Sequence, residues 1–468
     1  MSPGFFPTAR ERLTVMTDDP DQHQPETDES HSLLRLVAVA LLVGVATGCI
    51  GAVFRLALVR ADRLRDALIG WAHGHAIVGF LVVVGACALA TLLAAWVVRR
   101  FSPHASGSGI PHVEAVLRGE VQPAPLSLLP VKFCGGILAI GSGLALGREG
   151  PTVQMGASIA GFAARVCRLG VADGRVLLAA GAGAGLATAF NAPVAGIVFV
   201  FEELVHKFER RVAIGTFATL ATAIPVARLF LGDVPDFEIR ALSPPGAATM
   251  PLFFVMGAIA GLLGVGYNRA LLAALAAGDR LGRWPVEVRA GLIGAGVGTL
   301  AWLAPELVGG GDQIAQHMLT GAVIPMAVVF AFLIRFALGP LSYVASTPGG
   351  LFAPLLALGA QFGLLFGAAC RVLFPSLAVE PEAFVLAGMA ALFAGVVRSP
   401  MTGIVLVAEM TGNVTIFLPM LAACFVAMVL ATWLRDPPIY DSLRERTLHL
   451  ERKIREKFSS LPRRSGNG

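Results

Sequence analysis

Charge is what this chain has least of. Asp, Glu, Lys and Arg together make up 14% of its 468 residues, where soluble domains run nearer a quarter. With 56% hydrophobic residues and a mean hydropathy of +0.74, that scarcity excludes an ordinary soluble globule. Cysteine is also sparse: Cys49, Cys87, Cys134, Cys167, Cys370 and Cys424 lie singly in apolar stretches. No two stand at redox or metal-ligand spacing, so they read as small packing residues. The nine histidines form no HExxH or comparable cluster, which leaves a metal enzyme without a visible site. No His or Cys stands beside an acid in a catalytic pairing, so no enzymatic activity and no cofactor are expected. A basic face interleaved with aromatics is missing too, which argues against a nucleic-acid partner. The ~10-residue alternation of a membrane β-barrel is likewise absent.

What is present is long apolar runs: Leu33 to Leu58, Ala76 to Val98, Val212 to Leu231, Met250 to Ala277, Val323 to Val344, and most of Met401 to Leu434. Several exceed the ~20 residues that cross ~30 Å of hydrocarbon as a helix. The expected fold class is an all-α polytopic membrane protein, because helices satisfy their own backbone hydrogen bonds in lipid. Residues 1–32 are polar and acidic, without the basic start and short apolar core of a cleavable signal, and read as a disordered tail. From Arg435 onward nine Lys/Arg face five Asp/Glu. The positive-inside rule places that end in the cytoplasm.

Glycine (54) and proline (29) cut the apolar sequence into pieces shorter than a full span. Helices that stop within a membrane are tolerated where their ends face protein or a watery cavity. The chain is also duplicated. NAPVAGIVFVFEE, Asn191 to Glu203, matches RSPMTGIVLVAEM, Arg398 to Met410, at a constant offset of 207. GREGPTVQMG, Gly147 to Gly156, lies against GLFAPLLALG, Gly350 to Gly359, with Pro151 opposite Pro354. After Glu203 the chain continues into the basic HKFERR, whereas after Met410 no basic residue follows until Arg435. Equivalent ends therefore face opposite sides, the arrangement of inverted-repeat transporters. Two parallel copies with little charge bias are the alternative.

Three motifs open helical segments: GSGIP (Gly107 to Pro111), GREGP (Gly147 to Pro151) and GGLFAP (Gly349 to Pro354). Glycine allows the tight entry and proline suits the first turn. Helix N-termini carry free N–H groups and about half a positive charge, so several of them converging would bind an anion. A full Lys or Arg charge would hold the ion too tightly for release. Ser108 could add a hydroxyl or simply cap the helix. Phe352 is ordinarily core, and only its backbone N–H draws attention. Glu149 is the strongest single candidate, since an acid at mid-membrane depth costs several kcal/mol and is functional by default. A salt bridge with Arg148 is the plainer reading, but neighbours on a helix diverge by about 100° and pair poorly. As a built-in anion, Glu149 would compete for the anion site and vacate it on protonation.

Glu202 and Glu203 end an apolar helix. Glu409 matches Glu202 in the second copy and Met410 replaces Glu203, which gives Glu202 and Glu409 a shared structural role and singles out Glu203. Lys132, Glu114 and Arg398 flank apolar segments and are expected to snorkel or to be ion-paired.

Together GSGIP, GREGP with PTVQMG, GGLFAP, the Glu202–Glu203 pair after GIVFVF and PPIYDSL around Tyr440 resemble the signature of CLC chloride channels and transporters. The match runs in order from about Leu33 to Leu448. The resemblance implies one membrane domain over residues 33–448, with halves at about 33–232 and 248–448, between the tail 1–32 and a short basic tail 449–468. It implies a homodimer with an anion pathway in each subunit, set in a lipid bilayer, with both termini cytoplasmic in a bacterial inner membrane. Ser108 and Tyr440 would supply hydroxyls, and Gly109, Ile110, Leu351, Phe352 and Ala353 backbone, to a central chloride. Arg148, Glu149 and Gly150 would frame an outer site, and Glu203 would pass protons on the inner side. Serine at position 108 resembles chloride-preferring members, and the paired CBS domains of many eukaryotic members do not follow the membrane region in this sequence. The implied activity is chloride/proton antiport, with a passive chloride channel of the same fold as the alternative. A cation carrier would bind through carboxylates and helix C-termini instead.

Overall fold

The computed structural model describes residues 24–282, 284–320, 325–377 and 380–459. Seventeen helices follow one another: α1 (Gln24–His73), α2 (Ala76–Phe101), α3 (Ile110–Leu117), α4 (Leu128–Gly141), α5 (Glu149–Val166), α6 (Val171–Phe190), α7 (Pro193–Phe199), α8 (Arg210–Leu231), α9 (Met250–Arg280), α10 (Val286–Leu303), α11 (Asp312–Thr320), α12 (Pro325–Val344), α13 (Phe352–Leu373), α14 (Pro381–Val397), α15 (Pro400–Thr411), α16 (Phe417–Trp433) and α17 (Ile439–Ser459). A π-helical turn, Val200–Val205, extends α7. Among the described residues, seven helices are long and apolar enough to cross a membrane. Glycine and proline set the remaining boundaries. The run Met401 to Leu434 is two helices, because Gly412 ends α15 in the left-handed region at φ 64°. Helix α1 opens at Gln24, ahead of the Leu33 start expected for the first span; residues 1–23 of the tail, and 460–468 at the other end, lie outside the described residues.

The duplication is visible in the packing. Helix α5 lies on α6 as α13 lies on α14, α1 on α8 as α9 on α16, and α2 on α4 as α10 on α12. The first of these correspondences has a cause at residue level. Gly156 of α5 and Gly181 of α6 touch backbone to backbone, so that a Cβ on Gly181 would stand 2.6 Å from the Gly156 carbonyl oxygen. Gly359 and Gly388, their counterparts in the second half, meet in the same way at 2.5 Å. Such approach lets helices with very small side chains pack without voids.

The two copies run in opposite directions. The Glu202 carboxylate, at the end of the α7 segment, accepts hydrogen bonds from the N–H groups of Met401 (3.0 Å) and Thr402 (2.7 Å) and from the Thr402 hydroxyl (2.8 Å), at the start of α15. Glu409, near the end of α15, accepts reciprocally from Val194 (3.0 Å) and Ala195 (2.8 Å) at the start of α7. Equivalent helices whose ends cap each other's starts are antiparallel, which decides for inversion over parallel copies. Each carboxylate occupies the positive end of a helix dipole, as the shared structural role anticipated. Glu409→Gln should lower stability by about 1–2 kcal/mol. The check is the apparent melting temperature of detergent-solubilised protein, and Glu202→Gln should fall by a similar amount.

Aliphatic and aromatic side chains of α5, α6, α13, α14 and α15 form one continuous core across the two halves. None of the six cysteines is paired; Cys87, Cys370 and Cys424 are buried, whereas Cys134 is exposed on the outside of α4.

Candidate functional site

All three glycine-proline motifs start helices where the sequence placed them, at Ile110, Glu149 and Phe352. The strands of backbone leading into them are tied together. Gly147 and Gly350, matched residues of the two copies, exchange both hydrogen bonds, Gly147 N–H to Gly350 O at 2.8 Å and the reverse at 2.7 Å. The GSGIP loop joins the same junction: Gly107 N–H donates to Thr347 O (3.0 Å) and Gly349 N–H to Gly107 O (3.1 Å). The starts of α5 and α13 thus meet head to head inside the protein.

Glu149 lies at that meeting point, fully buried. Its Oε1 accepts the Phe352 N–H at 2.7 Å, and its Oε2 has no hydrogen-bond partner. Gly147 and Gly350 leave the carboxylate its room, since a Cβ on either would collide with its oxygens. The carboxylate therefore sits on the dipole end of α13, where an external anion would be bound for the same reason.

Arg148 takes no part in this. Its guanidinium donates to the Asp236 carboxylate (2.9 Å), the Asp312 carboxylate (2.9 Å) and the Ala189 carbonyl (2.8 Å). Asp236, nearly buried, also pairs with Arg55. The adjacent Arg148–Glu149 ion pair is thus replaced by a two-aspartate clamp that turns the arginine away. Asp236→Asn should release the guanidinium toward Glu149 and hold that carboxylate in place. Ion turnover in proteoliposomes should slow several-fold, and Asp236→Glu should restore it.

Below Glu149, Gly150 abuts Ser108: a Cβ at Gly150 would come within 2.6 Å of both the Ser108 carbonyl oxygen and its hydroxyl. Ser108 does not cap α3. That place belongs to Gly109, in the left-handed region at φ 88°, while the Ser108 N–H donates to the Tyr343 hydroxyl at 3.2 Å. Tyr440 stacks on the ring of Phe352, and its hydroxyl, like that of Ser108, is enclosed by the protein. Both are buried without a hydrogen-bond partner that satisfies them. An unsatisfied buried hydroxyl costs about 1–3 kcal/mol, and two of them beside helix N-termini form a donor set suited to an anion. Phe352 supplies more than its N–H: its ring is core, packed on Phe190, Phe199, Phe393 and Tyr440, and walls the site. Leu351 and Ala353 flank it, both buried, and Ile110 is buried at the start of α3.

Glu203 occupies a separate place. Its carboxylate is buried and accepts a short hydrogen bond from the Ser399 hydroxyl. It lines a cavity of about 110 Å³ with Glu114, Glu202, His206 and Asp441. Two flanking residues depart from expectation. Glu114 neither snorkels nor pairs; it is 2% exposed, with Oε2 unpartnered, on this cavity. Lys132 is fully buried and donates to the carbonyls of Ala105 (3.0 Å) and Gly107 (2.8 Å), so it fixes the loop ahead of Ser108 instead of reaching for water. Arg398 is ion-paired as expected, to Asp436 at 3.4 Å. Asp236, Asp312 and Tyr343 carry no motif, and only their folded positions connect them to the site.

An inverted pair of membrane-embedded half-units, with helix N-termini and unsatisfied hydroxyls converging on a buried acid, defines a membrane protein with an anion pathway. The chain belongs to the voltage gated chloride channel family, whose model matches residues 90–432. It is 37% identical over 424 residues to the H(+)/Cl(-) exchange transporter ClcA of Salmonella arizonae, covering 89% of each chain. Among solved structures it resembles a slow cyanobacterial Cl-/H+ antiporter at TM-score 0.85 and 33% identity, over 89% of this chain and 98% of that one. A eukaryotic CLC transporter follows at TM-score 0.74 and 26% identity, over 88% and 74%.

Proposed function

We propose that this protein is a secondary active transporter that exchanges chloride for protons across a membrane. One observation carries the reading: a buried glutamate occupies, on the Phe352 N–H, the position an anion would take, next to Gly150, which abuts the unpartnered Ser108 hydroxyl. Chloride and the Glu149 carboxylate compete for the same backbone donors. Protonation removes the carboxylate's claim on them, and chloride then passes as the proton is carried the other way. Glu203, on its own cavity with four further titratable groups, is suited to feed protons to Glu149 by a route apart from Ser108. The relatives' names, an H(+)/Cl(-) exchange transporter and a Cl-/H+ antiporter, support exchange over a passive channel.

The Glu203 side is the cytoplasmic one in this reading. The loop after α3 reaches α17 through Arg118 and Asp441 at 3.1 Å, and Arg118 lies 3.5 Å from His206, which brings the basic HKFERR loop and the Arg- and Lys-rich α17 onto one face. The connection between α8 and α9 instead carries Asp233, Asp236 and Glu238 against Arg240 alone. That asymmetry supports cytoplasmic termini in a bacterial inner membrane. A homodimer belongs to the same proposal, and the completion of the site within one chain supports a separate pathway in each copy. In proteoliposomes, an imposed chloride gradient should drive protons uphill; chloride flux without proton movement would establish a channel instead.

A further inference from the structure

The histidines form no metal motif along the chain, but folding brings two of them together. His104, in the turn Pro103–Ala105, and His112, in the first turn of α3, come from either side of Ser108. Their ring centroids are 5.2 Å apart and their planes are inclined at 46°. His73 and His75 behave differently: each stacks on a tryptophan at 4.3 Å, with planes within 29° of parallel. Zinc held tetrahedrally at about 2.0–2.1 Å from each of two imidazole nitrogens places the ring centroids about 5 Å apart. The His104–His112 pair has that spacing.

The pair is within reach of water. His104 is exposed and His112 half-buried, and both line a cavity of about 330 Å³ against the backbone of Gly107 and Gly109. Gln154 adds an acceptor. Its Nε2 donates to the His104 carbonyl at 2.9 Å, while its Oε1, on a side chain 1% exposed, has no hydrogen-bond partner. Gln154 and His112 also border a second, smaller cavity together. A water on an ion between the imidazoles would supply the donor that Oε1 lacks.

Three arginines on the larger cavity, Arg289, Arg444 and Arg446, oppose a cation. Two of them are answered where they stand, Arg446 by Asp279 and Arg444 by Asp441. Neutral imidazole binds transition metals through a directed bond, so the remaining charge weakens the site without removing it. Among the described residues no third His, Cys, Asp or Glu closes the set. The site is therefore open and exchangeable, with water or chloride completing the shell.

We infer that His104 and His112 form an inhibitory site for a divalent transition metal, zinc in the first place, on the cytoplasmic side of the protein. The hydrated ion stands beside Gly107 and Gly109, where it obstructs chloride on its way to Ser108. The effect on flux rests on the proposed transport reading, while the site stands on the imidazole pair and Gln154.

Isothermal titration of the full-length protein with zinc should show a saturable step that His104→Gln and His112→Gln each weaken at least tenfold. Zinc-edge anomalous density between the two rings, in crystals of the unaltered protein, reads the site without any variant; density only elsewhere refutes it. In inverted membrane vesicles, zinc on the exposed face should slow chloride flux several-fold, and a chelator should restore it. Right-side-out vesicles should be unaffected. Without metal, both variants should move chloride within about twofold of the parent. Inhibition that survives both substitutions, or that appears equally from both faces, would overturn the assignment, and zinc bound at the pair with flux undiminished would overturn its inhibitory role. Wild-type vesicles that move no chloride would refute the transport reading, whereas the titration and the density would still report on the site.

Discussion

Replacing Glu149 by glutamine should abolish uphill proton movement while chloride continues to cross. The amide keeps the size of the carboxyl and removes the charge that competes for the Phe352 N–H. Glutamine also has no proton to give up, so nothing remains at the junction of the two halves to carry one. In proteoliposomes with a chloride gradient and no imposed pH gradient, the internal pH should stay flat, against steady alkalinisation or acidification in the unaltered protein. Chloride efflux should persist at a rate comparable with the parent or above it. Proton movement at the parental rate in this variant would show that the carried proton never visits Glu149.

Glu203→Gln should give the same loss of proton coupling from a different place. The Glu203 carboxylate is hydrogen-bonded by Ser399, not by Ser108 or Phe352, and neither of those two lines its cavity with Glu114, Glu202, His206 and Asp441. Removing its charge therefore leaves the anion donors intact. The expected contrast is in the chloride dependence: Glu149→Gln should alter half-saturating chloride, because a competitor for the site is gone, and Glu203→Gln should leave it within about twofold. Flux assays over a range of chloride concentrations separate the two. An equal change in both variants would mean that the proton and anion routes share their inner half.

Much of the scaffold was readable from the chain because membrane helices are written in run length and in glycine and proline. The three motif starts were legible because glycine admits the tight entry and proline suits the first turn, although only GSGIP uses left-handed glycines, Gly107 and Gly109. The repeat was legible because Gly147 and Gly350, and Glu202 and Glu409, hold matched positions; the folded chain bonds the two glycines to each other and sets each glutamate on the helix start of the other copy. The partners of Arg148 were not. Asp236 and Asp312 come from connections 88 and 164 positions away, and nothing in their local sequence marks them as ligands of a particular arginine. Glu114 and Lys132 were misjudged for a related reason. Charges beside apolar segments usually reach for water, and only the folding of α3 against α17 and of the loop Ser102–Gly109 over α4 encloses these two.

The mutual hydrogen bonds of Gly147 and Gly350 constrain how the protein can move. Many carriers alternate by rocking one half against the other about a site at their interface. Here the interface is sewn at its centre by that glycine pair, beside it by Gly107 with Thr347 and Gly349, and farther out by the reciprocal caps of Glu202 and Glu409. Swinging the halves apart would break all of these at once. The exchange proposed above calls for no such swing: it needs only the movement of the Glu149 carboxylate on a frame that stays shut.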